Sequence, residues 1–216
     1  MKIRWLGHAS FEITTKAGTV LVTDPYDPSL GIKLPKVSAD VVTVSHEHFD
    51  HAAVNEVGGK PAVINSLAGG EVKDVRISGV GTFHDESGGS RRGKNIAFII
   101  EVNENGDTIR LCHAGDLGHT LDEATAGKLK DIDILMLPVG GTFTLDAAGA
   151  TRVVEQIKPG IVIPMHYKIK GLDLDIAGAD GFLAGKKDTA RLGELDIAAK
   201  DIPTETRVVV LESQNE

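Results

Sequence analysis

One stretch constrains this chain more than any other: His46-Glu47-His48-Phe49-Asp50-His51. It packs three imidazoles and a carboxylate into six residues, directly after the β-branched segment Val41-Val42-Thr43-Val44, which reads as a buried strand. The fold must therefore place a strand end and a loop where several donors can aim at one point. Imidazole with carboxylate suits Zn²⁺, Mn²⁺ or Fe²⁺. The spacing favours two ions over one. In an extended segment His46 and His48 point the same way. Asp50 and His51 follow the turn and are free to face a second ion. The zinc-protease pattern His-Glu-x-x-His is only a near miss, because Asp50 stands where its second His belongs.

A two-metal site needs more donors, and three other strand ends supply them. His84 follows Gly79-Val80-Gly81-Thr82-Phe83, Asp116 comes just after the strand 108–112, and His166 follows Ile161-Val162-Ile163-Pro164-Met165. A carboxylate such as Asp116 can bridge two cations and offset their repulsion.

Composition narrows the partners. At 216 residues the chain is expected to be a single domain, residues 1–216. The net charge of −8 argues against a nucleic-acid backbone as partner. No apolar run approaches the length of a membrane span, and the N-terminal residues lack a signal peptide's apolar core. The lone Cys112 fits a reducing cytoplasm and reads as a small buried hydrophobe within a strand. A homo-oligomer is compatible with all of this.

The periodicity predicts strands over 2–6, 10–14, 19–23, 41–45, 62–65, 75–80, 95–102, 108–112, 133–138, 161–165 and 207–211, with turns at Lys16-Ala17-Gly18 and Asn105-Gly106-Asp107. Helices are predicted over 121–129 and 145–157, the second stopped by Lys158-Pro159-Gly160. A strand-rich first half and an alternating second half indicate an α/β (α+β) arrangement of two sheets with helices outside.

These residues resemble the metallo-β-lactamase fold superfamily, in the branch of metal-dependent hydrolases similar to ascorbate-6-phosphate lactonase. The resemblance runs from Leu6-Gly7-His8 through Asp24-Pro25, the His46–His51 run, His84, Asp116 and Pro164-Met165-His166-Tyr167, and so covers nearly the whole chain. Val139-Gly140-Gly141 and the Met165-His166-Tyr167 ending are its branch-level signs. It implies a four-layer αββα sandwich with the metals at one edge. One ion would lie on His46, His48 and His84, the other on Asp50, His51 and His166, with Asp116 bridging and a hydroxide between them. His113 is a rival to His84 as third ligand. His113 and His119 are otherwise expected beside the ligands or near substrate. The resemblance places His8 near the site. Asp24 is expected to orient a metal-binding imidazole, or else simply to form a turn before Pro25.

The chemistry expected is hydrolysis of an ester, lactone, amide or phosphodiester by metal-activated hydroxide, with Asp50 and Asp116 as catalytic carboxylates. Two divalent ions per chain are expected, zinc foremost, with manganese or iron as alternatives. The loop 84–95 carries Arg91, Arg92 and Lys94 among glycines that permit an adaptable backbone. It suggests a small anionic substrate, held by Arg92 above all. Gly141, in Gly140-Gly141-Thr142, is expected to offer a backbone N–H, and Lys168 and Lys170 either to add positive potential or to be surface charges. Two other classes compete: a di-iron redox protein on the same fold, and a metal-stabilised binding protein without turnover.

Overall fold

A computed structural model describes residues 1–104 and 106–215. Its strands are β1 (Lys2–Gly7), β2 (Ser10–Thr14), β3 (Val20–Thr23), β4 (Ser38–Thr43), β5 (Gly58–Ile64), β6 (Gly70–Val72), β7 (Val75–Phe83), β8 (Lys94–Glu104), β9 (Asp107–His113), β10 (Ile134–Pro138), β11 (Ile161–Met165), β12 (Thr189–Leu192), β13 (Leu195–Asp196) and β14 (Arg207–Leu211). Its α-helices are α1 (Glu123–Lys128), α2 (Ala147–Ile157) and α3 (Asp180–Leu183). Every expected strand and both expected helices are present, with ends shifted by up to four residues. β6, β12, β13 and α3 are additions. Asn105, in the turn expected between β8 and β9, lies outside the described residues.

Two mixed sheets result. The first runs β13-β1-β2-β3-β4-β5 and the second β12-β14-β11-β10-β9-β8-β7-β6. Each changes character once. Tight hairpins make β1, β2 and β3 antiparallel, and crossovers make β3, β4 and β5 parallel. In the second sheet β6 to β9 are antiparallel, while β9, β10, β11, β14 and β12 are parallel. This arithmetic of directions sends the C-terminal ends of β1, β3 and β4 to one edge. It does the same for β7, β9, β10 and β11.

Between the sheets, Trp5, Phe11, Ile13, Leu21 and Val41 share a cluster with Phe98, Ile100, Leu111, Met136 and Ile163. β10 and β11 are buried along their whole length, as parallel strands covered on both faces are. Cys112 lies in this core, where burial pushes its thiol up to about 12. α2 starts at Asp146, whose carboxylate accepts from the Gly149 N–H at 2.7 Å, and adds Ala150, Val153, Val154 and Ile157 to the same core.

The α/β sandwich is as expected, but its helix layers are unequal. All three α-helices of the described residues follow residue 122, and one face of the first sheet has other cover. There Leu6, Val22, Val42 and Val57 are covered by Ala52, Val54, Leu34 and Val37, from loops and the 3₁₀ turn Val54–Glu56. The sequence gives the reason. The crossover from β3 to β4 contains Pro25, Pro28, Gly31 and Pro35, and the one after β4 carries the histidine run.

Candidate metal centre

The strand ends turn sharply inward where the histidines sit. His8, Asp24 and His166, just past β1, β3 and β11, have φ values of 52°, 35° and 51°. Non-glycine residues rarely adopt this left-handed region, and it costs energy that surrounding bonds must offset. Those bonds are present. The His8 carbonyl accepts from the Trp5 indole N–H at 2.9 Å and from the His166 N–H at 3.0 Å, and the Asp24 N–H donates to Thr43 at 2.9 Å. The His166–His8 bond also ties one sheet to the other, as does Ile96 N–H to Ser45 carbonyl at 3.0 Å. Gly115 (φ 54°) is required beside Asp116, since a Cβ there would lie 2.7 Å from Ser45 Cβ.

Asp24 aims two imidazoles at once. Its Oδ2 pairs with His51 Nδ1 at 2.8 Å and accepts from the Ser45 hydroxyl, while its Oδ1 accepts from the Ser45 N–H at 2.8 Å. With its proton on Asp24, the Ser45 oxygen accepts from His46 Nδ1 at 3.0 Å. Both rings therefore present Nε2. His46 Nε2 faces His48 Nδ1 at 3.0 Å, and His84 completes a group of three within metal-binding reach. His8, Asp50, His51 and His166 form a second group, entirely buried. Asp116 stands between the two. Its Oδ2 is 3.0 Å from His84 Nε2, 3.2 Å from His51 Nε2, 3.4 Å from His166 Nε2 and 3.8 Å from His46 Nε2. Asn95 fixes it, accepting the Asp116 N–H at 2.9 Å and donating to Thr82 Oγ1 and the Ala114 carbonyl.

The electrostatics suit a cation. Burial, aided by His166, brings His8 down to about 4; burial, aided by His51, brings His46 to about 3. Burial also lowers His48. These rings stay neutral, the form in which imidazole binds metal. His51 goes the other way. Burial opposes its charge, yet Asp116 and Asp50 hold it well above the usual imidazole range. Burial likewise opposes charge on Asp116, and His166 and His51 hold it well below the carboxylate range. The gap between Asp50 and Asp116 thus demands positive charge. Two buried atoms there, His51 Nε2 and Asp116 Oδ1, have no hydrogen-bond partner. Nitrogen and oxygen donors in this arrangement fit a divalent metal.

Other expected residues divide. His113 is buried behind Asp24, with Nε2 2.7 Å from the Ala9 carbonyl and Nδ1 4.0 Å from Asp24 Oδ2. It does not join His46 and His48; His84 does. His119 braces the strand beneath His84: Nε2 accepts from the Phe83 N–H at 3.1 Å, and Nδ1 donates to the Thr120 carbonyl at 2.8 Å. His8 comes nearer than expected, with Nε2 3.2 Å from Asp50 Oδ2. Gly141 departs from expectation, because its N–H is already spent on the Leu145 carbonyl at 3.0 Å. Lys168 departs too, its ammonium being held by the Leu172 and Leu174 carbonyls at 2.6 and 2.7 Å.

A cavity of about 430 Å³ opens on His48, Asp50, His84, Asp116 and His166, and its outer wall is Phe49, Arg91, Arg92, Phe143 and Leu174. Lys94 lines a neighbouring cavity instead. The loop carrying Arg92 is not adaptable, as its glycines suggested. Asp85 accepts backbone N–H bonds from Ser87, Gly89, Arg91 and Arg92 at 2.7–3.0 Å. Burial works against its charge, but these donors bring it to about 2. Ser45, Asn95 and Asp85 were not singled out from sequence. Only Asp85 carried a usable signal: Asp-x-Ser-Gly-Gly marks a side-chain-capped turn.

A sandwich of two mixed sheets with a buried His/Asp cluster at one edge has the make-up of a metal-binding scaffold. The model of the beta-lactamase superfamily domain matches residues 2–166. A metal-dependent hydrolase of Thermoplasma volcanium is 30% identical over 193 residues, covering 77% of this chain and 83% of the relative. Another, from Hyperthermus butylicus, is 31% identical over 194 residues, covering 76% and 82%. A solved structure from Thermotoga maritima, classed with the Zn-dependent hydrolases of the metallo-β-lactamase superfamily, is 40% identical, covers 99% of both chains and superposes with a TM-score of 0.80. The chain therefore belongs to the metallo-β-lactamase superfamily, among its metal-dependent hydrolases.

Proposed function

We propose that this hydrolase cleaves a small anionic ester, lactone or phosphodiester with two divalent ions, zinc foremost. His46, His48 and His84 would hold one ion, and Asp50, His51 and His166 would hold the other, with His8 alongside. The observation carrying this reading is Asp116 Oδ2, within 3.0–3.8 Å of imidazole nitrogens from both groups at the floor of a cavity whose wall bears Arg92. When bound, the ions lower the pKa of water and polarise the scissile oxygen. The chain's own groups do the rest. Arg92 takes the anionic part of the substrate. Water adds its oxygen to the acyl carbon or phosphorus, and the C–O or P–O bond to the leaving group breaks. Asp50, which pairs with His8 at 3.2 Å, moves the water's proton toward the leaving oxygen. Asp24 and Ser45 keep His46 and His51 aimed throughout.

The test is elemental analysis of reconstituted protein, followed by a panel of esters, lactones and phosphodiesters. Two equivalents of zinc or manganese with turnover are expected. No more than one equivalent defeats the dinuclear reading. Iron with a visible absorption band indicates redox chemistry, and metal-dependent folding without turnover indicates a binding protein.

A further inference from the structure

The wall facing the metal ligands is mostly apolar, and its parts are placed deliberately. Phe49 sits between two site residues, His48 and Asp50. It is 55% exposed and belongs to none of the apolar clusters of the described residues. Its carbonyl accepts from the Asp27 N–H at 3.1 Å, which fixes the backbone from which the ring projects. Facing the same space are Phe143 and Leu174, partly buried on the small core of Tyr26, Leu30 and Leu172. The Lys168 ammonium binds the Leu172 and Leu174 carbonyls and so fixes the turn that presents Leu174. A large exposed apolar side chain beside a reactive centre calls for an apolar partner.

Beside this wall stands an unpaired cation. The Arg92 guanidinium lies 5.4 Å from the centre of the Phe143 ring, within the reach of a cation–π contact. Neither Arg91 nor Arg92 has a side-chain ion pair among the described residues, in a chain of net charge −8. Asp85, in the same loop, already has both oxygens occupied by backbone N–H groups.

We infer that the substrate is an amphiphilic anion. Its scissile bond lies over the ligands, its compact apolar group lies against Phe49, Phe143 and Leu174, and its carboxylate or phosphate lies on Arg92. A cavity of about 430 Å³ has room for an aromatic ring or a branched acyl group beside the scissile bond and the anion. This inference rests on the hydrolytic reading above.

Four esters separate the two features on the metal-loaded full chain: carboxylated aryl, uncharged aryl, carboxylated short aliphatic and uncharged short aliphatic. The carboxylated aryl ester should have the highest kcat/KM. Arg92→Met should cost about tenfold more on the carboxylated esters than on the uncharged ones. Phe49→Ser should cost about tenfold more on the aryl esters than on the aliphatic ones. Both variants should keep the wild-type metal content. Turnover with no such discrimination overturns the amphiphile inference and leaves the hydrolase reading standing. Absence of all turnover counts against the hydrolase reading, and calorimetric titration then decides the inference separately. Benzoate binding tenfold tighter than acetate and benzyl alcohol, with the advantage lost in Arg92→Met, supports it. Equal binding of the three probes overturns it.

Discussion

The two groups of ligand-type residues share one cluster but meet solvent differently. His8, Asp50, His51 and His166 are all buried, whereas His48 is exposed and His46 only partly buried beside His84. Their chemistry differs as well. The buried group includes a carboxylate of its own, and the open group is all imidazole. A divalent ion in the open group is thus neutralised only by the shared Asp116. Charge compensation and burial both favour tighter retention by the buried group. On the proposed two-metal reading, the contrast implies a division of labour: one position would hold its ion, and the other would exchange it and meet what enters the cavity.

The most severe way to break this comparison is to remove what the groups share. Asp116→Ala should bring hydrolysis to background and weaken both metal equivalents, whereas His48→Ala should also lose hydrolysis yet keep about one equivalent by elemental analysis. Full activity in Asp116→Ala, or loss of both metals in His48→Ala, removes the distinction. A finer cut uses the relay behind the rings. Ser45→Ala disconnects Asp24 from His46 alone and should weaken the open position about 10–100-fold in a chelator competition, with the buried position unchanged. Asp24→Asn should weaken both. Equal effects of the two variants would mean that Ser45 does not carry the link.

A third test concerns the metal-free protein. His8 and His46 are held near 4 and 3 in the fold, against about 6.5 when unfolded. Below pH 6.5 the unfolded chain therefore binds more protons, and stability falls with pH. Each such ring contributes about 1.4 kcal/mol per pH unit until its folded value is reached. His51, raised instead, works the other way between pH 7 and about 6, where the folded chain keeps a proton that the unfolded chain partly loses, and so offsets part of this fall. Urea unfolding of chelator-treated protein at pH 7 and pH 5 measures this, and equal midpoints would count against buried neutral rings. The smallest effect is expected from His119→Ala. It removes the acceptor of one backbone N–H beneath His84, worth about 0.5–1.5 kcal/mol. Activity should drop only severalfold, and a total loss would move His119 into the site itself.

How much of this could be read beforehand depends on how far apart the partners lie. The His46–His51 run announced itself because its chemistry is continuous in sequence. His84, Asp116 and His166 were legible because each follows an apolar strand. His8 was placed near the site only by resemblance. Its contact with Asp50 spans 42 residues and depends on a left-handed turn after β1 that no local pattern announces. Ser45 and Asn95 were silent for another reason: at a strand end, Ser and Asn look like ordinary turn residues. β12 and β13 escaped notice because β12 is largely exposed and β13 has only two residues, so neither shows alternation. The loop cover on the first sheet was written in the prolines of residues 25–35, a signal that the general architecture outweighed.

The ring of N–H donors around Asp85 has a thermodynamic consequence. Immobilising a flexible side chain or loop on association typically costs about 0.5–1.5 kcal/mol per rotamer-rich group. In the 85–92 loop the ordering of the backbone is already complete at folding, and Phe143 lies 5.4 Å from the Arg92 guanidinium. On the proposed function an arriving anion would therefore find little backbone entropy left to lose. Preference among anions should then follow their fit alone, and should persist wherever the fold persists.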